Sequence, residues 1–143
     1  MTGFSAAPII IPNAGIELIL LKSSIENVLI QLGNPTETIL LEEEMLATKH
    51  QVLRYDDLAM DFYFDVNSNL SLSAIDCANT KALLHNCAIF NYNEKSIIAL
   101  LKEIGHKLTD TEQHQWGEKR LEFDTAGLEF YFERGKLTLV HIE

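Results

Sequence analysis

Residues 53–64 read LRYDDLAMDFYF, and residues 121–132 read LEFDTAGLEFYF. The two stretches keep the same apolar spacing, and in each a turn opens with Asp, at a constant offset of 68 positions. Upstream, residues 24–33 resemble residues 96–105 in the same way. Because the same parts occur twice in the same order, the sequence predicts two copies of one structural unit.

A capped helix is predicted at the start of each unit. Apolar residues recur at helical spacing over residues 25–32. Ser23 and Glu26 are spaced as a capping box, while Gly33 and Pro35 end the helix. In the second unit, Asn93 or Ser96 opens the corresponding helix.

Three strands are predicted after each helix. In the second strand of each unit, the pattern predicts one inward face (Met60, Phe62 and Phe64; Leu128, Phe130 and Phe132). Turns rich in Asp, Asn, Ser and Gly separate the strands. These patterns predict an α+β fold of two tandem repeats, each a helix plus an antiparallel β-meander, with the helices packed on one sheet face. The expected division is residues 1–76 for the first repeat and its lead-in, 77–89 for a linker, and 90–143 for the second repeat.

The first unit resembles a known family. The pattern Ser24-x₃-Val28-x₃-Leu32-Gly33-x-Pro35, followed by Phe64-x₅-Leu70-x₄-Ile75-Asp76, is similar to the repeat of the beta-lactamase-inhibitor-protein-like fold, which includes the SmpA/OmlA-type lipoproteins. The resemblance implies a non-enzymatic protein that binds other proteins. The two-copy arrangement looks like the inhibitor branch, or like immunity proteins that neutralise a toxin.

The charge distribution indicates the class of partner. The chain has a net charge of −10, of which residues 1–76 carry −8 and residues 77–143 carry −2. Phosphate contacts need Lys and Arg, so no nucleic-acid partner is expected. An acidic surface suits a basic protein partner, although solubility alone also explains it. The sequence lacks an apolar run long enough to span a bilayer and an export signal, so no membrane partner and a cytoplasmic location are expected.

An acid–Tyr–acid stripe occurs twice on the predicted outward face of the second strand. It consists of Asp61, Tyr63 and Asp65 in the first unit and of Glu129, Tyr131 and Glu133 in the second. Tyrosine supplies contact area at low entropic cost, and carboxylates receive Arg or Lys. These six residues are the predicted partner-binding site. The alternative is that they form an ordinary solvent-exposed sheet face with no binding role. Outer candidates are Glu42, Glu43, Glu44 and Trp116, although Trp116 is favoured as a plug between the two halves.

The sequence offers no support for an enzyme. It contains no nucleophile motif, no Gly-rich phosphate loop and no paired His spacing typical of a metal site. Turn chemistry accounts for Asp56, Asp57 and Asp124. Cys77 and Cys87 are expected to be reduced, and neither a cofactor nor a metal is expected.

The predicted function is therefore binding of a basic toxin or enzyme, which the protein blocks through the acidic, tyrosine-bearing sheet face. Two alternatives stay open at this point. One is an assembly or scaffold protein that inhibits nothing, and the other is a small-ligand binder or enzyme with a pocket between the repeats. Exposed strand edges also leave homodimerisation open.

Overall fold

The computed structural model of the chain describes residues 7–43, 45 and 48–143, with the side chain of Glu43 left out. The strands are β1 (Ile9–Ile11), β2 (Gly15–Ile16), β3 (Ile19–Leu20), β4 (Glu37–Glu43), β5 (Thr48–Tyr55), β6 (Met60–Asp65), β7 (Ser71–Cys77), β8 (Leu83–Leu84), β9 (Cys87–Ala88), β10 (Asp110–Gln113), β11 (Glu118–Phe123), β12 (Leu128–Glu133) and β13 (Lys136–Ile142). The helices are α1 (Ile25–Leu32) and α2 (Glu94–Glu103).

Eight of the strands form one antiparallel sheet. Its order is β10-β11-β12-β13-β7-β6-β5-β4, so each predicted meander gains a fourth strand at its outer edge. At the centre, β13 pairs with β7 through Val140 opposite Cys77, His141 opposite Asp76, and Ile142 opposite Ile75. This pairing joins the two halves of the chain into a single sheet.

The remaining five strands form a small second sheet. Its order is β3-β2-β1-β8-β9, and β1 runs parallel to β8. Residues 77–89, the predicted linker, thus include β8, which pairs with β1, and β9, which pairs with β8. The small sheet therefore joins the start of the chain to the segment between the two meanders.

The predicted α+β class is wrong, because the described residues form thirteen strands in two sheets and only two α-helices, of eight and ten residues. The prediction of two repeats, each only a helix plus a meander with the helix alone covering the sheet face, is also wrong, because a second sheet of five strands shares the core with the helices. The apolar stretches near residues 9–20 and 83–88 are too short for periodicity to distinguish strand from helix, and they form the small sheet. Tertiary pairing decided their conformation.

The helix ends follow the sequence with one correction. Ser24 caps α1 by accepting a hydrogen bond from the Asn27 amide at 3.1 Å, so the predicted Ser23 box does not form. Asn93 and Ser96 cap α2 reciprocally. Neither helix in the described part of the chain is long and apolar enough to cross a bilayer.

One face of the large sheet carries the core. Phe62, Phe64, Phe130 and Phe132 are buried, while the residues between them are half-buried on the opposite face. They pack in one cluster with residues of both helices and the small sheet. Edge-to-face aromatic pairs recur at matching places, Tyr55 with Phe62 and Phe123 with Phe130, with ring centroids 5.7 and 5.6 Å apart. The alternation predicted for β6 and β12 matches this burial, so the opposite face of the sheet is the one turned to solvent.

Two matching turns with positive φ lead into β6 and β12. Ala59 has φ 53° and Gly127 has φ 65°. A Cβ on Gly127 would overlap the carbonyl oxygen of Glu143, whereas Ala59 already carries one.

This difference predicts unequal responses to substitution. Gly127→Ala should lower the free energy of unfolding by roughly 2 kcal/mol or more, since it adds a backbone clash to left-handed strain. Ala59→Gly should change it by less than about 1 kcal/mol, because relief of strain and the added freedom of the unfolded chain oppose each other. Urea denaturation of both variants measures the difference, and equal losses would contradict this packing of the C-terminus.

Candidate functional site

An unbroken row of ionisable side chains crosses the outward face of the large sheet. The register aligns one residue from every strand, in the order Asp110, Glu122, Glu129, His141, Asp76, Asp61, Arg54 and Glu37. We call these eight residues the charged row. Six of them are carboxylates, and several stand directly opposite one another, which destabilises a sheet unless cations lie between them.

Arg120 holds the acidic end of the charged row together. Its guanidinium lies 2.7 Å from Asp110, 3.2 Å from Glu122 and 3.5 Å from Glu129. The hydrogen bond that Arg120 donates to Asp110 raises the pKa of Arg120 further above its ordinary value, although burial acts in the opposite direction. One cation therefore serves three carboxylates on three strands.

Arg54 neutralises two carboxylates at the other end of the charged row. Its Nε lies 3.1 Å from Asp61, and its Nη1 lies 3.5 Å from Glu37. The hydrogen bond with Asp61 raises the pKa of the Arg54 guanidinium. Because Arg54 and Arg120 sit on corresponding strands of the two halves, β5 and β11, each half supplies its own cation.

His141 occupies the centre, where the two halves meet. Its Nδ1 lies 2.6 Å from Asp76 and its Nε2 lies 3.3 Å from Glu143, while Glu129 stands opposite it on β12. Burial lowers the pKa of His141, but hydrogen bonds with Asp76 and Glu143 and the charges of both raise it to about 9. The imidazole is consequently charged near neutral pH and bridges the junction as a cation.

Both tyrosine hydroxyls donate into the charged row. Tyr63 donates to Asp76 at 2.8 Å, and Tyr131 donates to Glu129 at 2.8 Å. Burial and then the bonded carboxylate raise the pKa of each hydroxyl, which keeps both protonated. Since β6 and β12 run antiparallel in this sheet, the two rings approach the row from opposite sides. Six carboxylates thus face three cationic groups, leaving an acidic strip bordered by two aromatic rings.

The other predicted residues lie outside the row. Asp65 ends β6 and accepts hydrogen bonds from the Asn67 amide at 2.9 Å and the Ser68 hydroxyl at 3.2 Å, so it stabilises a turn. Glu133 is exposed at the end of β12, opposite Lys136. Glu42 lies on the edge strand β4, 3.8 Å from Lys49. Glu43 belongs to β4 by its backbone, and Glu44 lies outside the described residues.

Trp116 does not plug a gap between the halves. It is 69% exposed in the loop between β10 and β11, and its ring stacks on His114 with centroids 4.3 Å apart. The Nε2 atom of His114 lies 2.7 Å from a carboxylate oxygen of Glu112. The favoured interpretation of this residue was therefore wrong, and Trp116 sits at one corner of the sheet, away from the centre of the charged row.

Two shallow hollows lie at corresponding ends of the strands. The larger, of about 300 Å³, is bordered by Arg54, Asp61 and Asp76, and the smaller, of about 130 Å³, by Glu122, Glu129 and Glu143. Within the described ranges no group of three His, Cys, Asp or Glu side chains is placed to hold a metal ion. No described buried side chain presents an unpaired polar atom. The arrangement offers a charged surface rather than an enclosed reaction site.

Sequence reasoning found only part of this row. It identified Asp61 and Glu129 of the row and the two tyrosines that donate into it, Tyr63 and Tyr131, because the second strand repeats clearly. Arg54 and Glu122 carried the same alternation signal on the preceding strand, and reading both outward faces together would have added them. The partnership of His141 with Asp76 has no local signal, since it depends on the pairing of β13 with β7.

The raised pKa of His141 predicts a pH-dependent stability. The stabilisation from charged His141 between Asp76 and Glu143 is complete below about pH 6.5 and is lost as the pH rises through about 9. Between about pH 6.5 and pH 9, the free energy of unfolding of the native protein should therefore fall by roughly 2 kcal/mol more than that of His141→Gln, with solvent screening included. Urea denaturation at several pH values measures this, with His85→Asn at an exposed turn as the control. Parallel pH profiles for the native protein and His141→Gln would contradict the bridge.

Comparison with known proteins adds a likeness of fold. No protein-family model and no curated protein matches the sequence. Among solved structures, the crystal structure of a DUF4309 family protein, YjgB, from Bacillus subtilis matches with a TM-score of 0.53 and 12% identity. The alignment covers 90% of this chain and 86% of that one. At this identity the likeness concerns the fold alone, and the resemblance to the beta-lactamase-inhibitor-protein-like group stays a prediction.

Proposed function

We propose that this chain is a non-enzymatic protein-binding module that holds a basic partner against the outward face of its large sheet. The observation that carries the proposal is the charged row, whose six carboxylates outnumber its cationic groups two to one even when Arg120 is counted with His141 and Arg54. A surface of one dominant sign attracts and orients an oppositely charged partner.

The composition of the face supports protein rather than small-ligand recognition. Tyr63 and Tyr131 offer rigid aromatic area beside carboxylates that are already held in place by hydrogen bonds. Tyrosine next to charged groups is typical of binding surfaces whose centre carries most of the affinity. Partner Arg or Lys side chains can reach carboxylates that Arg54 and Arg120 only partly neutralise.

The electrostatic repulsion within the charged row also supports a functional role. Glu122 stands opposite Glu129, and Asp61 stands opposite Asp76. Facing carboxylates destabilise a sheet, and uncharged polar residues would serve a merely wetted surface equally well. Retaining such a row is understandable if a partner completes its charge balance. The resemblance of the first unit to inhibitor proteins adds the expectation that the partner is a toxin or enzyme whose active region becomes covered.

A charge-matched pair of variants tests the site. Asp110→Asn/Glu122→Gln/Glu129→Gln removes three charges from the row, and Glu17→Gln/Glu26→Gln/Glu103→Gln removes three exposed charges elsewhere. Both variants change the net charge of −10 to −7. A basic partner captured from the source cells should bind the row variant on the order of tenfold more weakly, and the control variant should bind like the native protein.

Salt and tyrosine substitutions complete this test. Affinity of the native protein should fall on the order of tenfold between about 50 and 300 mM salt. Tyr63→Ala/Tyr131→Ala should weaken binding while far-ultraviolet circular dichroism confirms the fold. Equal affinity for both charge variants, or binding unaffected by the tyrosines, would refute the proposed face. An activity assay of the captured partner then separates an inhibitor from a scaffold protein.

A further inference from the structure

The two edges of the large sheet differ in length and polarity. At one edge, β10 has four residues, Asp110–Gln113, all exposed and polar. At the other, β4 has seven residues, and among the described residues no strand pairs with its outer side. Short, charged edges resist strand addition, whereas long edges with apolar side chains invite it. Only the β10 edge has the protected character.

The apolar side chains of β4 are exposed on both faces of the sheet. Leu40, paired with Gln51 on the side of the core, is 58% exposed, and Leu41, paired with His50 on the outward side, is 46% exposed. Ile39 is half-buried beside the buried Val52. A strand added to this edge would cover Leu40 with one side chain and Ile39 and Leu41 with its neighbours, because successive side chains alternate between faces.

Charge argues against a second copy of this chain as the added strand. In antiparallel pairing, Ile39 opposite Leu40 would set Glu37 opposite Glu42. Ile39 opposite Leu41 would set Glu37 opposite Glu43, and Leu40 opposite Leu41 would set Glu42 opposite Ile39, a carboxylate against an apolar side chain. The first two of these registers therefore place like charges face to face, which destabilises the pair. Centring the pair on Ile39 instead sets Leu41 opposite Glu37, and centring it on Leu41 sets Leu40 opposite Glu42, so these registers lose the apolar match.

We infer that the free edge of β4 docks an extended segment of a partner protein by strand addition. The segment has an apolar centre that covers Ile39, Leu40 and Leu41, and it carries Lys or Arg opposite Glu37 and Glu42. Both carboxylates have only long contacts within the chain, 3.5 Å to Arg54 and 3.8 Å to Lys49, and remain about half exposed. Backbone hydrogen bonds along β4 supply affinity, and the basic ends supply selectivity. This site shares Glu37 with the end of the charged row, but it lies on the strand edge rather than on the sheet face and does not rest on the proposed function.

A defined peptide tests the inference. The probe is a fluorescent six-residue peptide with lysine at both ends, which pair with Glu37 and Glu42, and alternating valine and isoleucine at its centre. Binding to the full chain is followed by anisotropy up to about 1 mM peptide, and hydrogen exchange locates it. We expect slower exchange at residues 37–43. The same peptide with glutamate ends should bind at least about tenfold more weakly.

Backbone and side-chain controls distinguish strand addition from other binding. Only every second amide of the bound peptide faces β4. N-methylation of the odd-numbered residues and N-methylation of the even-numbered residues should therefore differ, one set abolishing binding and the other leaving it intact. Leu40→Lys and Leu41→Lys should weaken binding at least about tenfold, whereas Ile30→Lys on α1, 72% exposed, and Thr111→Lys on β10 should not.

Three results would overturn the inference. They are unchanged exchange of β4 at saturating peptide, tolerance of both N-methylated frames, and equal weakening by Ile30→Lys. A second copy of the chain would occupy the edge instead if the β4 amides of the peptide-free protein exchanged more slowly as the protein concentration rose and sedimentation showed a dimer.

Discussion

The pairing of β13 with β7 is the contact on which the rest of this structure depends. Each half of the chain brings four strands, and three residue pairs at the middle turn them into one sheet of eight. The same contact sets His141 beside Asp76 and aligns the ionisable residues of both halves at one level. Without it, each half would carry a shorter charged cluster around its own arginine and a free inner edge exposed to water.

The two faces of this sheet do opposite work. On one, the phenylalanines and the helices exclude water and supply most of the favourable free energy of folding. On the other, carboxylates and three cations form a strip that stabilises the fold less than an uncharged surface would. Burial of the first face holds the second in fixed register, so the carboxylates are arranged before any partner arrives. Such preorganisation reduces the conformational entropy that the side chains lose when a partner binds.

Sequence patterns predicted local structure well and the assembly poorly. The alternation in residues 60–64 and 128–132, the hairpin turns and the approximate ends of both helices follow from residue chemistry within a few positions, although Ser24 rather than the predicted Ser23 caps α1. The class prediction failed because residues 9–20, 37–43 and 83–88 carry no period that separates strand from helix. Their conformation comes from partners distant in sequence, as when β1 pairs with β8. For the same reason, Asp61 and Tyr63 were visible in the sequence, whereas the place of His141 was not.

Cross-strand nuclear Overhauser contacts between β7 and β13 test the central claim most directly. A spectrum of the isotope-labelled protein should connect the backbone protons of residues 75–77 with those of residues 140–142, in the antiparallel register that sets Asp76 opposite His141. Contacts confined to the strands within each half, with none across this junction, would contradict both the single sheet and the charged row built on it.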